Sequence, residues 1–187
     1  MENFPGIETE RLVLKSVTDN HVNDVFQHFA SEEVNKFVDF DAAENITDAQ
    51  EIIDWGLGLY LNDNGILWGI FNKIDDVFVG QVNFANRSSN NFTGMVHRTE
   101  IGFDLSPQYW GNGYMTEAMN SSISWIFNSY KIGIQRIEAI INTKNYRAEK
   151  LVLKMGFKKE GILRDYVVWK DEMIDMSLFS LLKKEWI

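Results

Sequence analysis

Glu100-Ile-Gly-Phe-Asp-Leu-Ser-Pro-Gln-Tyr-Trp-Gly-Asn-Gly-Tyr-Met-Thr-Glu-Ala118 reads as a strand, a tight loop, a glycine pair and a helix start. Gly111 and Gly113 remove Cβ atoms where the backbone must turn sharply, so the amides of Gly111 to Met115 can converge on a bound anion. The helix that follows adds the positive end of its dipole. Each charge-assisted hydrogen bond from such an amide to a diphosphate is worth roughly 1.5–3 kcal/mol. The stretch predicts a phosphate-bearing ligand at a strand-to-helix turn.

Upstream of it, Glu10 to Val17 alternates Leu12 and Leu14 with Arg11 and Lys15, as a half-buried strand does. Thr18-Asp19 opens a helix with Val22, Val25, Phe26 and Phe29 on one stripe, and Ser31 to Phe40 reads as a short helix and a loop. Thr47-x-x-Gln50 has the form of a capping box for a helix that ends at Asn62-Asp63-Asn64-Gly65. Strands follow at Ile66–Lys73, Val77–Ala85 and Thr99–Leu105, the first two joined by a hairpin at Asp75-Asp76, with a polar loop at Arg87–Gly94.

Downstream, Met115, Ala118, Met119, Ser122 and Ile126 form one face of a helix running to about Tyr130. Arg136–Asn142 is a strand, and Asn145 caps a helix with Ala148, Leu151, Val152 and Met155 inward. Gly156 supplies the left-handed position at its end, Phe157 restarts a strand, and Met173–Leu182 is the last one. Strands lead early and alternate with helices late, which predicts a mixed sheet with helices on both faces.

The 187 residues, 45% of them hydrophobic, are most simply one domain, 1–187, with a core large enough to stand alone. With no Cys, disulfides, thiolate metal sites and a Cys nucleophile are excluded, and the three scattered His have no zinc-ligand spacing. A net charge of -9 argues against nucleic-acid binding and favours cationic partners. Between Lys36 and Lys73 stand seven acids and no Lys or Arg, which reads either as a solvated helix face or as an electrostatic funnel for an amine. No basic leader and no membrane-length apolar run is present, so the expected location is the cytoplasm and no membrane partner is expected.

Three phosphate-binding readings compete for the glycine pair. A P-loop needs a Gly-Lys-Ser/Thr that the chain lacks. A dinucleotide fingerprint needs a third glycine where Thr116 stands, and Ser106 to Trp110 separates strand from glycines. The third reading is a resemblance: Gln108-Tyr-Trp-Gly111-Asn-Gly113 followed by Tyr-Met-Thr-Glu-Ala resembles the Gln/Arg-x-x-Gly-x-Gly/Ala signature of the GNAT N-acetyltransferases. Ile7-Glu-Thr-Glu10-Arg11-Leu12, Glu100-Ile-Gly-Phe, Asn145-x-x-Ala148, Gly156-Phe157, Glu160-Gly161-Ile-Leu-Arg164 and the closing Leu-Leu-Lys-Lys-Glu-Trp186 extend it to the RimJ/RimL-like branch, over nearly the whole chain. A plain strand-to-helix turn remains the bland alternative.

The resemblance implies an α/β (α+β) fold: a mostly antiparallel mixed sheet of about seven strands flanked by about four helices, with a splayed parallel strand pair. It implies acetyl-CoA as co-substrate and no metal. Its pyrophosphate would lie on Gly111, Asn112, Gly113, Tyr114, Met115 and Thr116, with Gln108 bracing the loop. Pantetheine would pair with the backbone of Phe103 and Leu105, and Asn142 and Asn145 would lie at the far strand's end. The acceptor it implies is a primary amine, either the N-terminal α-amine of a basic ribosomal protein or a small amine, attacking directly in a ternary complex.

The chemistry needs a neutral amine, a stabilised oxyanion and a proton for the leaving thiolate. An α-amine of pKa ~8 is about a tenth neutral at pH 7, against under a thousandth for a lysine near ~10.4, so it asks less of a base. Glu100 is the first candidate base, sharing a strand face with Gly102 and Asp104; a carboxylate pairing with a neighbouring strand is the competing account. Asp165, in a segment that borders the acceptor site in the branch, is the second. Ala148 stands where many branch members carry a proton-donating Ser, which leaves a non-catalytic acyl-CoA-binding or sensing domain as the alternative function. An edge-strand homodimer is compatible with the sequence and has no signature in it.

Overall fold

The structure is a computed structural model that describes residues 4–38, 42–85, 97–169 and 171–186. A two-residue strand, β1 (Ile7–Glu8), pairs antiparallel with β2 (Leu12–Lys15), in which Leu12 and Leu14 are fully shielded while the alternating Val13 and Lys15 are half-buried. That is the period of two the sequence predicts. A 3-10 turn at Asp19–His21 leads into α1 (Val22–Phe29), where Val25 and Phe29 are buried and Val22 and Phe26 pack beside them. The short helix expected after Ser31 is α2 (Glu32–Asn35).

Helix α3 (Ile46–Leu61) corrects the capping assignment. Its cap is Asn45, whose Oδ1 accepts the N–H of Thr47 (2.8 Å) and of Asp48 (3.3 Å), while Asp48 Oδ2 accepts the N–H of Asn45 (3.1 Å) and of Glu44 (2.7 Å). Asn-x-x-Asp satisfies the same orphan donors as Thr-x-x-Gln and begins the helix earlier. Gln50 is released to bond Asp19 and Asp54.

Strands β3 (Gly65–Asn72) and β4 (Phe78–Ala85) form the expected hairpin. Its turn works without glycine because Asp76 itself takes a positive φ of 57°. Next come β5 (Arg98–Leu105), α4 (Tyr114–Ser129), β6 (Arg136–Asn142), α5 (Tyr146–Lys154), β7 (Lys158–Trp169) and β8 (Glu172–Leu182). The strand order is β1-β2-β3-β4-β5-β6-β8-β7. β5 and β6 run parallel; the β1/β2, β2/β3, β3/β4, β6/β8 and β7/β8 pairs are antiparallel.

Among the described residues the sheet thus has eight strands and five α-helices accompany it, against the expected seven and four. The strand not foreseen is β1, too short to show alternation; α2 is the short helix read after Ser31, which the count of about four leaves out. The loop expected at Arg87–Gly94 lies outside the described residues.

The described residues fall into two compact units, one within Met1–Ala85 and Gly102–Ser122, the other within Asn86–Ile101 and Ile123–Ile187. In the first, Val17, Val25, Phe29, Ile52, Ile53, Leu67 and Phe71 are part of a buried cluster. There β4 approaches the end of β5 so closely that a Cβ on Gly80 would stand 2.3 Å from the Asp104 carbonyl oxygen, where only glycine fits. In the second, Ile137, Ala139, Ile141, Val152, Phe157, Phe179 and Leu181 are buried. Helix α5 ends in a Schellman motif: Phe157 N–H donates to Val152 O (3.0 Å), Gly156 N–H to Leu153 O (3.1 Å), and Gly156 has φ 90°.

Candidate active site

The glycine turn is built in the first unit. Past Leu105, the Ser106 N–H donates to Val79 O (2.8 Å), Pro107–Tyr109 forms a 3-10 turn, and the Trp110 indole donates to Leu105 O (2.6 Å). Gly111 and Gly113 then adopt φ 78° and 79°, the left-handed conformation that disfavours a side chain. A Cβ on Gly111 would meet nothing within 4 Å, so the turn has open space beside its backbone. Gly113 O accepts the Glu117 N–H (3.0 Å), the first bond of α4. Open backbone amides at a helix start suit a diphosphate, so the turn fits the group that the sequence implies.

A network from the connection between β1 and β2 braces this turn. Glu117 Oε1 accepts the Thr9 hydroxyl (2.6 Å) and the Arg11 N–H (2.8 Å), and Oε2 accepts Arg11 Nε (2.7 Å). Arg11 Nη1 donates to the Asn112 carbonyl (2.9 Å), and the guanidinium lies 4.6 Å from the centre of the Tyr114 ring. Burial pushes the Glu117 carboxyl up, but the bonds from Thr9 and Arg11 outweigh it and hold its pKa below the ordinary value. The hydrogen bond to Glu117 holds the Arg11 guanidinium above its ordinary value, against a smaller opposing effect of desolvation.

Of the expected ligand contacts in this unit, Gln108 stands exposed on the 3-10 turn, and Asn112 is exposed with its carbonyl committed to Arg11. Met115 is buried, so its side chain belongs to the interior and its backbone alone is available to a ligand; Tyr114 and Thr116 are half-buried. Phe103 is half-buried on β5, and Leu105, buried, shares its carbonyl with Trp110.

In the second unit, Asn142 ends β6, its Oδ1 accepting the Lys144 N–H (2.9 Å) and its carbonyl the Asn145 N–H (2.8 Å). Asn145 caps α5 as expected, its Oδ1 accepting the Ala148 N–H (3.2 Å).

Glu100 is half-buried and lies beside Glu138 in the parallel ladder, whose register covers Arg98, Thr99 and Glu100 against Arg136, Ile137 and Glu138. Around it is a charged row. Glu138 accepts from Arg98 (3.2 Å) and Arg136 (2.7 Å), and Glu160 Oε1 accepts Arg136 Nη1 (3.0 Å) and the Ser180 hydroxyl (2.5 Å). The Ser180 and Arg136 bonds hold the Glu160 carboxyl below its usual value. Asp165 is exposed, with φ 47°, where the β7/β8 register breaks between Leu163 and Val167, and its N–H donates to Asp175 Oδ1 (2.9 Å). Two strands, β6 and β8, intervene between the strands of Glu100 and Asp165, which at ~4.8 Å per strand puts the strands about 14 Å apart. They do not form one catalytic pair.

One buried cluster has no counterpart in the sequence reading. His28, 5% exposed, lies between Asp104 (Nε2 to Oδ1, 2.6 Å) and Ser106 (Nδ1 to Oγ, 2.7 Å). Each ring nitrogen thus has a hydrogen-bond partner, Nε2 the Asp104 carboxyl and Nδ1 the Ser106 hydroxyl. The cluster ties α1 to the exit of β5, just ahead of the glycine turn. No sequence spacing announces a contact made across 76 residues.

Of the seven acids between Lys36 and Lys73, Asp39 and Asp41 lie outside the described residues. Asp48 caps α3, Asp54 accepts from Gln50, and Asp63 turns the chain after α3 with φ 59°. Local structural work accounts for these three.

Residues 11–158 match the family model described as "Acetyltransferase (GNAT) domain". The chain is 32% identical over 180 residues to the uncharacterized N-acetyltransferase YoaA of Bacillus subtilis, covering 96% of this chain and 98% of that one. It is 29% identical over 119 residues, 64% of this chain and 58% of the relative, to the ribosomal protein uS5-alanine N-acetyltransferase of Escherichia coli. Among solved structures, the microcin C7 self-immunity acetyltransferase MccE, in complex with acetyl-CoA and AMP, superposes with a TM-score of 0.80 at 20% identity, over 93% of each chain. A family match over most of the chain and a mixed sheet that contains the parallel β5/β6 pair identify the chain as a member of the GNAT acetyltransferase family, an acetyl-CoA-dependent enzyme.

Proposed function

We propose that this enzyme transfers the acetyl group to a primary amine, either a protein N-terminal α-amine of the ribosomal-protein type or a small amine, by direct attack in a ternary complex. The observation that carries the donor half is the glycine turn: left-handed Gly111 and Gly113, open space beside Gly111, and a helix beginning at Tyr114. The acceptor half rests on the kinship with a uS5-alanine N-acetyltransferase and on amine chemistry, since an α-amine offers far more neutral nucleophile at pH 7 than a lysine.

The chain acts as one GNAT domain, and each group has a role. The amides of Gly111 to Thr116 bind the pyrophosphate, and the backbone of Phe103 and Leu105 on β5 takes the pantetheine arm. Asn142 and Asn145 contact the donor from the end of β6 and the start of α5. Bound acetyl-CoA supplies the activated acetyl group. Glu100 takes the amine proton. Its half-buried position beside the Glu138 row supports that assignment over Asp165, which is exposed on a bulge of the outer strand. The net charge of -9 favours a cationic acceptor, such as the N-terminus of a basic protein.

An acceptor screen tests the reading. The chain is incubated with acetyl-CoA and with peptides beginning in Ala, Ser or Met, an N-blocked lysine peptide, and polyamines, and thiol release and product mass are followed. Acetylation of free peptide N-termini above the blocked peptide is expected. Turnover confined to polyamines would overturn the protein-acceptor half, and absence of CoA binding would overturn the donor half.

A further inference from the structure

We propose that Arg11 is a positioning residue for the donor site: held by Glu117, it fixes the Asn112–Gly113 peptide so that the Gly113 N–H faces the diphosphate. The inference rests on the acetyl-CoA reading and adds to it a residue from β2's approach, about a hundred positions ahead of the turn.

In a planar trans peptide the carbonyl and the N–H point in opposite directions. No described peptide bond is cis, and Arg11 Nη1 draws the Asn112 carbonyl to itself at 2.9 Å. The N–H of Gly113 in the same plane is thereby turned to the other side, away from the guanidinium. Gly113 permits the left-handed φ of 79° at which this peptide is held; a Cβ there would be in ordinary contact, 3.5 Å, with Arg11 Nη2. Arg11 is itself held at three points, by its N–H and Nε on Glu117 and by the Tyr114 ring beneath its guanidinium. Thr9 holds the second lone pair of Glu117 Oε1. Glu117 takes the Nε proton and the Asn112 carbonyl one Nη1 proton, so the guanidinium bonds the peptide directly, and its orienting role is separable by experiment from the charge of its remaining donors.

Positioning and direct charge predict opposite signs for one variant. Glu117→Gln removes a negative charge close to the anion site. If Arg11 acted by charge alone, the variant would bind CoA more tightly; if it acts through the peptide, the weakened hold on Arg11 loosens binding.

The experiment measures CoA affinity by calorimetry, and kcat and KM with acetyl-CoA and with acetyl-pantetheine, which lacks the diphosphate. It compares the native chain with Arg11→Lys, Arg11→Ala and Glu117→Gln, each checked for a cooperative melt. The expected result is CoA binding about tenfold weaker in Arg11→Lys and Arg11→Ala, the loss of one charge-assisted hydrogen bond at the turn. Glu117→Gln should weaken binding in the same direction, with kcat/KM for acetyl-pantetheine within about twofold of native throughout. CoA affinity unchanged in both Arg11 variants, equal losses with both donors, or tighter binding by Glu117→Gln would each overturn the proposal. If Arg11→Ala does not fold, Arg11→Lys decides. A native chain that failed to bind CoA at all would instead remove the donor assignment on which the inference stands.

Discussion

At the scale of single residues, Gly113 and Glu117 carry the most. A side chain on Gly113 meets both a left-handed backbone, which costs roughly 1–2 kcal/mol for an L residue, and the Arg11 guanidinium. Gly113→Trp is expected to abolish acetyl-CoA binding in calorimetry. Glu117 makes a second prediction, about acid. Its folded pKa lies below the unfolded carboxylate value of about 4.3, so its contribution to stability is complete above that value and is lost as the pH falls through the folded pKa. Urea denaturation should therefore show native and Glu117→Gln proteins differing more at pH 7 than at pH 3. The glycines and the Asn145 cap were legible because each obeys a local rule. Their partners were not: Glu117 meets Thr9 across 108 positions and His28 meets Ser106 across 78, and nothing short-range encodes either contact.

At the scale of elements, local chemistry decides boundaries. The α3 cap gives a clean test: Asn45→Ala should lower stability by roughly 0.5–2 kcal/mol, while Thr47→Ala should stay within about 0.5 kcal/mol, as measured by urea denaturation. The reverse ranking would restore Thr47 as the cap. Two overlapping signatures, Asn-x-x-Asp and Thr-x-x-Gln, stand side by side, and pattern alone does not choose between them. The β3/β4 hairpin was legible as two strand-like runs joined at Asp75-Asp76 although its turn has no glycine; Asp76 supplies the left-handed residue. The two-residue β1 was not, since a period of two cannot be read from two residues. β7 was legible only as a strand beginning after Phe157, and its breaks, at Lys159/Gly161 and Leu163/Val167, depend on β8.

At the scale of the whole molecule, the fold was legible because the motifs occur in a fixed order along nearly the whole chain, and the family match over residues 11–158 agrees. The catalytic base was less legible, since a carboxylate on a strand has several possible uses. Glu100→Gln is expected to lower kcat for a peptide N-terminus by roughly 10²- to 10⁴-fold, the usual worth of a general base, and Asp165→Asn by much less. The opposite ranking in steady-state kinetics would move the base to the β7/β8 hairpin. Ala148→Ser should leave turnover intact, because the chain already functions without a hydroxyl there. The bonds from Thr9 and Arg11 to Glu117 also say something about the order of events in folding. They close a stretch of more than a hundred residues, and such closures lose chain entropy before any contact repays it. The glycine turn is therefore expected to reach its final shape late, after the opening strands and α4 have met, so that on refolding the recovery of CoA binding should lag behind the recovery of secondary structure.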